Sequence, residues 1–342
     1  MGRPAFHTLH GSLFCLILIA IALPAGAQSL RGRCGDIDPD ISIAGCSREI
    51  QSYTADLNGG RGNMQAASAR LATAYDSRGI AYARKRLYDQ AIADYNQAIA
   101  LSPQPYPMAY FNRAGAYGDQ GLDDQAIADY SKAILLQPKG EAADFSLAEA
   151  HAFRGNAYEN KGQYDEAIAD YTQAIAIDPG MERAYQNRGN GYLRKGQFDL
   201  AIADFTKVIS FDKRNITSLF NRALAYRHKG MLDEAIADLT REISFAPTDA
   251  GAYDMRGLIY GEKGRHDEAI ADFTQEIALN AKDMAAHPAF ASRYALSYVH
   301  RGDAHQKKGA VDAAAADYRA ALKLDPAMQA AKDGLKRLGA AQ

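Results

Sequence analysis

Three aspartates near the N-terminus stand at every second residue, and their type and spacing suit calcium binding. Asp36, Asp38 and Asp40 match the first three ligand positions of a calcium-binding loop. Such a loop also needs a glycine at its sixth position and a glutamate at its twelfth, where this chain has Ile41 and Ser47. Without that glutamate the ion loses its bidentate ligand, so we expect no metal site here.

Two cysteines flank these aspartates, and their chemistry depends on the compartment. Cys34 and Cys46 are twelve residues apart. In an oxidising compartment, a lone pair at this spacing predicts one structural disulfide. A redox-active or metal-binding pair is the alternative, but the sequence has neither C-x-x-C spacing nor a histidine beside the two cysteines. We therefore predict that Cys34 and Cys46 are joined.

Motifs of catalysis are missing from the sequence. It contains no G-x-S-x-G, no Walker-type glycine loop and no H-E-x-x-H. His300 and His305 are five residues apart, so on a helix they point to different faces. We expect no enzyme activity and no cofactor; an active site outside these motifs is the alternative, which an activity screen would detect. The net charge is −2 without a basic patch, so nucleic acid is not an expected partner.

The first 27 residues have the order of a secretory signal. Arg3 precedes an apolar run from Leu13 to Leu23, and Ala25-Gly26-Ala27 forms a small-residue cleavage site. The run is too short for a membrane-spanning helix, which takes about 20 residues, and no later run approaches that length. We expect residues 1–27 to be removed, together with Cys15, and the mature chain to be exported to the periplasm.

The rest of the chain is built from near-copies of one two-helix segment. Seven copies begin near residues 72, 107, 148, 182, 216, 250 and 295, with an underlying period of 34. In this frame, apolar or small residues recur at positions 4, 8 and 11 and again at 20, 24 and 27, which gives each helix one packing face. Position 8 is always Gly or Ala and position 20 is always Ala, so the two helices can pack closely.

This pattern resembles the tetratricopeptide repeat. The third copy meets the family pattern in full, with Gly155, Tyr158, Ala167, Tyr171, Ala174 and Pro179. The resemblance covers residues 72–326 and implies an all-α fold, a right-handed superhelical solenoid of about seven helix-turn-helix repeats. Departures are local: the family's Trp at position 4 is absent, and Val208, Glu242 and Glu276 replace the usual Ala at position 27.

Both ends of the array are expected to carry caps. Residues 40–50 match residues 89–99, so we predict that segment 28–71 is an N-terminal cap that contains the cysteine pair and a half-repeat. Segment 327–342 is predicted to form a C-terminal capping helix. Spacings of 41 and 45 residues mark two inserts. Because the excess is close to whole helical turns, we expect each insert to lengthen the first helix that follows, with Pro288 at a helix start. Flexible loops are the alternative.

An arginine and an aspartate recur on the packing faces of every copy, at positions 7 and 23. A partly buried guanidinium needs a carboxylate, and antiparallel helices bring these two positions within reach. We predict a structural ion ladder, with contact to a ligand as the alternative. The pairs are Arg78–Asp94, Arg113–Asp129, Arg154–Asp170, Arg188–Asp204, Arg222–Asp238, Arg256–Asp272 and Arg301–Asp317.

The resemblance implies that the protein binds a peptide segment or partner protein in a concave groove lined by the first helices. Side-chain amides can hydrogen-bond a peptide backbone, Arg can hold a carboxylate, and apolar neighbours can hold a side chain. Position 5 has no Lys, which disfavours the family's clamp for chaperone tails. A merely solvated surface is one alternative; a non-catalytic subunit of an envelope machine, acting through its outer face, is another. The candidate groove residues are Asn156, Asn187, Asn190, Arg194, Phe220 and Leu224.

Overall fold

The computed structural model of the protein describes residues 33–60, 63–137, 147–286 and 291–339, with only the backbone at 282–286 and 291. Within these ranges it contains sixteen α-helices and no strand. The helices divide between two compact units, residues 1–179 and 180–342. The fold is therefore all-α, an array of helical repeats, as predicted. The signal segment 1–27 and Pro288 lie outside the described residues.

The first unit has one N-terminal helix followed by three helix pairs. The first helix of the first pair, α2, begins before the predicted start of the repeat array at residue 72. The helices are α1 (Pro39–Asn58), α2 (Met64–Arg84), α3 (Tyr88–Leu101), α4 (Pro107–Asp119), α5 (Asp123–Leu136), α6 (Leu147–Asn160) and α7 (Tyr164–Ile177).

The second unit has four helix pairs followed by one short helix. The helices are α8 (Glu182–Arg194), α9 (Phe198–Phe211), α10 (Ile216–His228), α11 (Leu232–Phe245), α12 (Ala250–Glu262), α13 (His266–Ala286), α14 (Ala291–Lys307), α15 (Val311–Leu324) and α16 (Gln329–Arg337).

Close packing within each pair explains the small residue at position 8. A Cβ atom added at Gly79 would lie 2.6 Å from the ring of Tyr95, and one added at Gly155 would lie 2.8 Å from the ring of Tyr171. Each ring stands at position 24 of the same repeat, on the second helix. The aromatic ring thus takes the space that a larger side chain at position 8 would need, and the helix pair closes around it.

The insert before the seventh repeat lengthens two helices, and mostly the one we did not expect. The preceding second helix, α13, has 21 residues where α11 has 14. The following first helix, α14, has 17 residues where α12 has 13. The family's helix-ending proline is replaced by Ala281, which permits α13 to continue past the usual place. The missing proline is not sufficient, because Lys213 replaces it in the fourth repeat and α9 still has 14 residues. The other insert falls mainly at 138–146, outside the described residues.

A disulfide joins the segment before α1 to α1 itself, the helix that matches the second helix of a repeat. The structure contains the predicted Cys34–Cys46 disulfide, and Ser42 Oγ accepts a hydrogen bond from the Gly35 N–H at 3.1 Å. Gly45 stands where the other second helices carry the ladder aspartate, and a Cβ there would lie 2.5 Å from the carbonyl carbon of Arg33. The lack of a side chain at Gly45 therefore lets the preceding segment pack against α1. Because Gly45 stands in place of the ladder aspartate, α1 needs no arginine partner.

Candidate functional site

The structure places all seven predicted Arg–Asp pairs in contact. In each repeat the Nε and one terminal nitrogen of the arginine donate to the two carboxylate oxygens, at 2.6–2.9 Å. The aspartates are only 4–6% exposed. Burial raises the pKa of Asp170, but hydrogen bonding to Arg154 and His151 outweighs it and lowers that pKa below its usual value. Both oxygens of every ladder carboxylate are thus occupied within the repeat.

Within each unit, ladder arginines also bond to the helix that precedes their repeat. Arg154 Nη1 donates to Ser131 Oγ at 2.8 Å, and Arg222 Nη1 donates to Thr206 Oγ1 at 2.8 Å. In both cases the acceptor is at position 25 of the preceding repeat. Arg78 makes the same bond to Ser47 of α1, at 3.1 Å. The helix α1 therefore takes the place of a second helix, consistent with a half-repeat.

A second row of ion pairs lies on the surface, and the sequence analysis missed it. The lysine at position 14 contacts the aspartate at position 18 of the preceding repeat, and these aspartates are 74–81% exposed. The signal was present in the sequence, as a second charge pair recurring with the same period. Exposed pairs contribute little to stability, so this row is weaker than the buried ladder. The pairs are Lys85–Asp40, Lys161–Asp124, Lys229–Asp199, Lys263–Asp233 and Lys308–Asp267.

The candidate groove residues lie at positions 5, 6, 9 and 13 of first helices, on what we call the first-helix face. Asn156 belongs to the first unit, whereas the other five belong to the second. On α6, Asn156 Oδ1 accepts a hydrogen bond from the Tyr171 hydroxyl at 2.8 Å, which also contacts Glu159 at 2.8 Å. This amide is therefore tied to its own repeat.

In the second unit, the first-helix face combines amides with apolar side chains. Asn190 Oδ1 of α8 accepts a hydrogen bond from Asn221 Nδ2 of α10 at 2.9 Å. Asn187 is half-buried on α8, and Arg194 is exposed at its end. Phe220 and Leu224 are half-buried on α10, where Phe220 packs against the core around Ala223 and Leu239. The structure thus joins α8 and α10 through an amide pair beside an apolar surface.

Further along this face, polar contacts join the other first helices of the second unit. Arg227 of α10 donates through Nε to Glu262 Oε1 of α12 at 2.9 Å, and His300 Nδ1 of α14 lies 2.8 Å from Asp254 Oδ1 of α12. The hydrogen bond to Asp254 raises the pKa of His300, although burial acts in the opposite direction and more strongly than any single contact. These four residues had not been predicted, because their partners are set by neighbouring repeats.

The first-helix face of the first unit carries a buried acid and an aromatic cluster. Asp76 is 5% exposed and accepts hydrogen bonds from Asn112 Nδ2 at 3.0 Å and from the Tyr106 hydroxyl at 3.3 Å. Burial raises the pKa of Asp76 to about 6, although both hydrogen bonds oppose it. Beside it, the rings of Phe111 and Phe153 have centroids 5.9 Å apart.

In the part of the chain that the structure describes, His, Cys, Asp and Glu do not gather in any group of three or more that could hold a metal ion. No helix in the same ranges is both long and apolar enough to cross a membrane.

The fold and the ladder define an all-α helical-repeat protein. Models of the tetratricopeptide repeat match six stretches that together cover more than half of the chain. The chain therefore belongs to the tetratricopeptide repeat family. The matched residues are 72–105, 109–139, 148–181, 187–250, 250–283 and 295–328.

Solved structures agree with this fold. The C-terminal part of a TPR repeat-containing protein from Cytophaga hutchinsonii matches with a TM-score of 0.62 and 20% identity, over 75% of this chain and 98% of that one. A tetratricopeptide repeat protein from Parabacteroides merdae matches with a TM-score of 0.51 and 19% identity, over 78% and 98% of the two chains. At such identities the likeness shows the fold alone. Comparison with curated proteins gave no significant match.

Proposed function

We propose that this protein is an exported, non-catalytic scaffold that binds an extended peptide segment, or a partner protein through such a segment, on the first-helix face of its second unit. The observation that carries the proposal is the Asn190–Asn221 pair beside Phe220 and Leu224. Family membership supports it, because repeat arrays of this kind present extended binding surfaces.

The amide pair is suited to a peptide backbone. The bond uses Oδ1 of Asn190 and Nδ2 of Asn221. Within the described residues the other halves of the two amides, the Nδ2 group of Asn190 and the Oδ1 atom of Asn221, offer one donor and one acceptor that can serve a ligand. An extended backbone presents the complementary pattern of N–H and C=O groups, and Phe220 and Leu224 offer apolar contact for its side chains. Asn187 and Arg194 lie on the same helix as Asn190 and extend the polar part of this surface.

Removing the amide pair should weaken peptide binding. Peptides of about twelve residues would be selected by phage display on the folded chain, and their affinity measured by fluorescence polarisation. We expect Asn190→Ala with Asn221→Ala to weaken binding roughly tenfold, since each of two lost hydrogen bonds contributes about 0.5–1.5 kcal/mol. Because both residues are replaced together, no amide remains that has lost its hydrogen-bond partner.

The matched control is Leu200→Ser, which changes an exposed apolar residue on α9, a second helix of the same unit. It should leave the affinity unchanged. If the double variant folds and binds as tightly as the parent, the amide pair is not the site. If instead Leu200→Ser abolishes binding, the protein acts through its second helices, as an accessory subunit of an envelope machine would.

Export is tested by the mass of the protein recovered from the periplasm of a bacterial host that expresses the whole chain. We expect cleavage after Ala27, because the preceding segment has the order of a secretory signal. The same spectrum should show Cys34 and Cys46 without free thiols, in keeping with their disulfide. Retention of residues 1–27 in the recovered protein would contradict export by this signal.

A further inference from the structure

Two glutamates in the second unit occupy a position that is otherwise small or apolar. Position 27 faces the next repeat, since Ala133 clusters with Ala150 of the following helix, and Ala321 clusters with Ala331. The remaining members are Ala98, Ala174, Val208, Glu242 and Glu276. The two glutamates thus place carboxyl groups in the interfaces between repeats five and six and between repeats six and seven.

Glu242 is enclosed without a counter-charge. Its side chain is 2% exposed, and its Oε2 atom has no hydrogen-bond partner among the described residues. The charged groups that face it are Asp238 on its own helix and Asp249, the N-cap of α12. On the α10 side, Arg222 is engaged by Asp238 through two hydrogen bonds of 2.7 Å. Because Asp238 and Arg222 neutralise each other, the charged neighbour that remains for an ionised Glu242 is Asp249, which is also negative.

Glu276 repeats this arrangement one interface later. It is 8% exposed, and its Oε1 accepts a hydrogen bond from Ser297 Oγ of α14 at 2.5 Å, while its Oε2 lacks a partner in the described chain. Asn280 on the same helix donates to Oε1 at 3.3 Å. Asp254 of α12 and His300 of α14 face it, and these two are paired with each other. The carboxyl group of Glu276 thus accepts hydrogen bonds through one oxygen, but no positively charged group without another partner faces it among the described residues.

We propose that these two interfaces form a proton-controlled joint in the second unit, closed while Glu242 and Glu276 carry a proton and loosened when they ionise. A neutral carboxyl group fits a buried apolar interface, whereas a carboxylate with acidic neighbours must gain water, and the helices on either side must part to admit it. The proposal concerns the stability of the array and is independent of the peptide site on α8 and α10.

The direction of the pH effect follows from the pKa values. Burial, with Asp249 and Asp238, raises the pKa of Glu242 from 4.5 to about 8. Burial, with Asp254, raises that of Glu276 from 4.5 to about 7. At a pH between the pKa of the unfolded chain and the higher pKa of the folded chain, each glutamate binds more proton in the folded state than in the unfolded state. Raising the pH therefore lowers the free energy of unfolding. This contribution is complete below pH 4.5 and is lost as pH approaches 8 for Glu242 and 7 for Glu276.

Amide hydrogen exchange of the full chain tests the joint. After correction for the intrinsic exchange rate, the opening equilibrium of α11 and α12 should rise about tenfold between roughly pH 6.5 and 7.5, the effect of one proton per pH unit. Helices α3 and α5 of the first unit serve as the internal reference, and α4 is left out because burial raises the pKa of its Asp119. Asp76 of the neighbouring helix α2 titrates near 6 and adds little in this range.

Three variants decide the outcome. Glu242→Ala, which restores the residue found at position 27 in four other repeats, should abolish the pH dependence in α11 and α12. Glu242→Gln should do the same while keeping the side-chain volume. Glu234→Ala, at an exposed glutamate on α11, should retain it. A parent protein whose opening changes less than about twofold over one pH unit, against the tenfold expected for one linked proton, would overturn the proposal, and so would a pH dependence that survives in both Glu242 variants.

Discussion

Replacing Asp204 by alanine is expected to lower the free energy of unfolding of the second unit by about 3–5 kcal/mol. Asp204 is 5% exposed and accepts two hydrogen bonds of 2.8 Å from Arg188. The substitution would leave a guanidinium group inside the repeat without its carboxylate, which is the costly way to break a buried ion pair. Urea unfolding followed by circular dichroism, with amide exchange in α8 and α9 to localise the effect, measures the loss.

The chain supplies a matched control on the same helix. Asp199 of α9 pairs with Lys229, but its side chain is 81% exposed. We expect Asp199→Ala to cost less than about 1 kcal/mol, because water and salt already screen that charge. Equal losses of unfolding free energy in the Asp204 and Asp199 variants would show that burial does not make the ladder pairs stronger than the surface pairs. Unchanged stability of the Asp204 variant would remove the structural interpretation of the ladder.

Deleting residues 327–342 is expected to destabilise the last repeat and promote aggregation. Helix α16 places Ala331 and Leu335, both fully buried, against a cluster that includes Tyr318 and Ala321 of α15. Gly334 lets α16 approach so closely that a Cβ there would lie 2.5 Å from the Tyr318 ring. Without α16 this apolar face meets water, at a cost of about 1.5–3 kcal/mol for a leucine alone. Light scattering during a thermal ramp reports both effects.

Point substitutions separate loss of the cap from loss of chain length. Leu335→Ala should reproduce much of the destabilisation, about 2–5 kcal/mol, because it opens a cavity under α16. Lys336→Ala, at the exposed neighbouring residue, should be close to neutral. A truncated protein as soluble and as stable as the whole chain would show that α16 is not a cap.

The sequence alone determined the helical repeats, the pairing within them and the residues of the buried ladder. The pattern recurs seven times, so features such as the Ala at position 20 or the Arg–Asp pair stand out from chance. Within a repeat the two helices are joined by a short turn, so a residue on one helix has few partners to choose from on the other. The disulfide between Cys34 and Cys46 could be predicted because these are the two cysteines outside the predicted signal segment.

Only the tertiary structure decided how one repeat meets the next. The Asn190–Asn221 bond, the third contact of ladder arginines such as Arg154 and the acidic surroundings of Glu242 all involve different repeats. Such contacts depend on the angle and offset at which helix pairs stack, and no local period in the sequence specifies these. The insert before α14 shows the same limit, because its length indicated added helical turns but only the structure places most of them in α13.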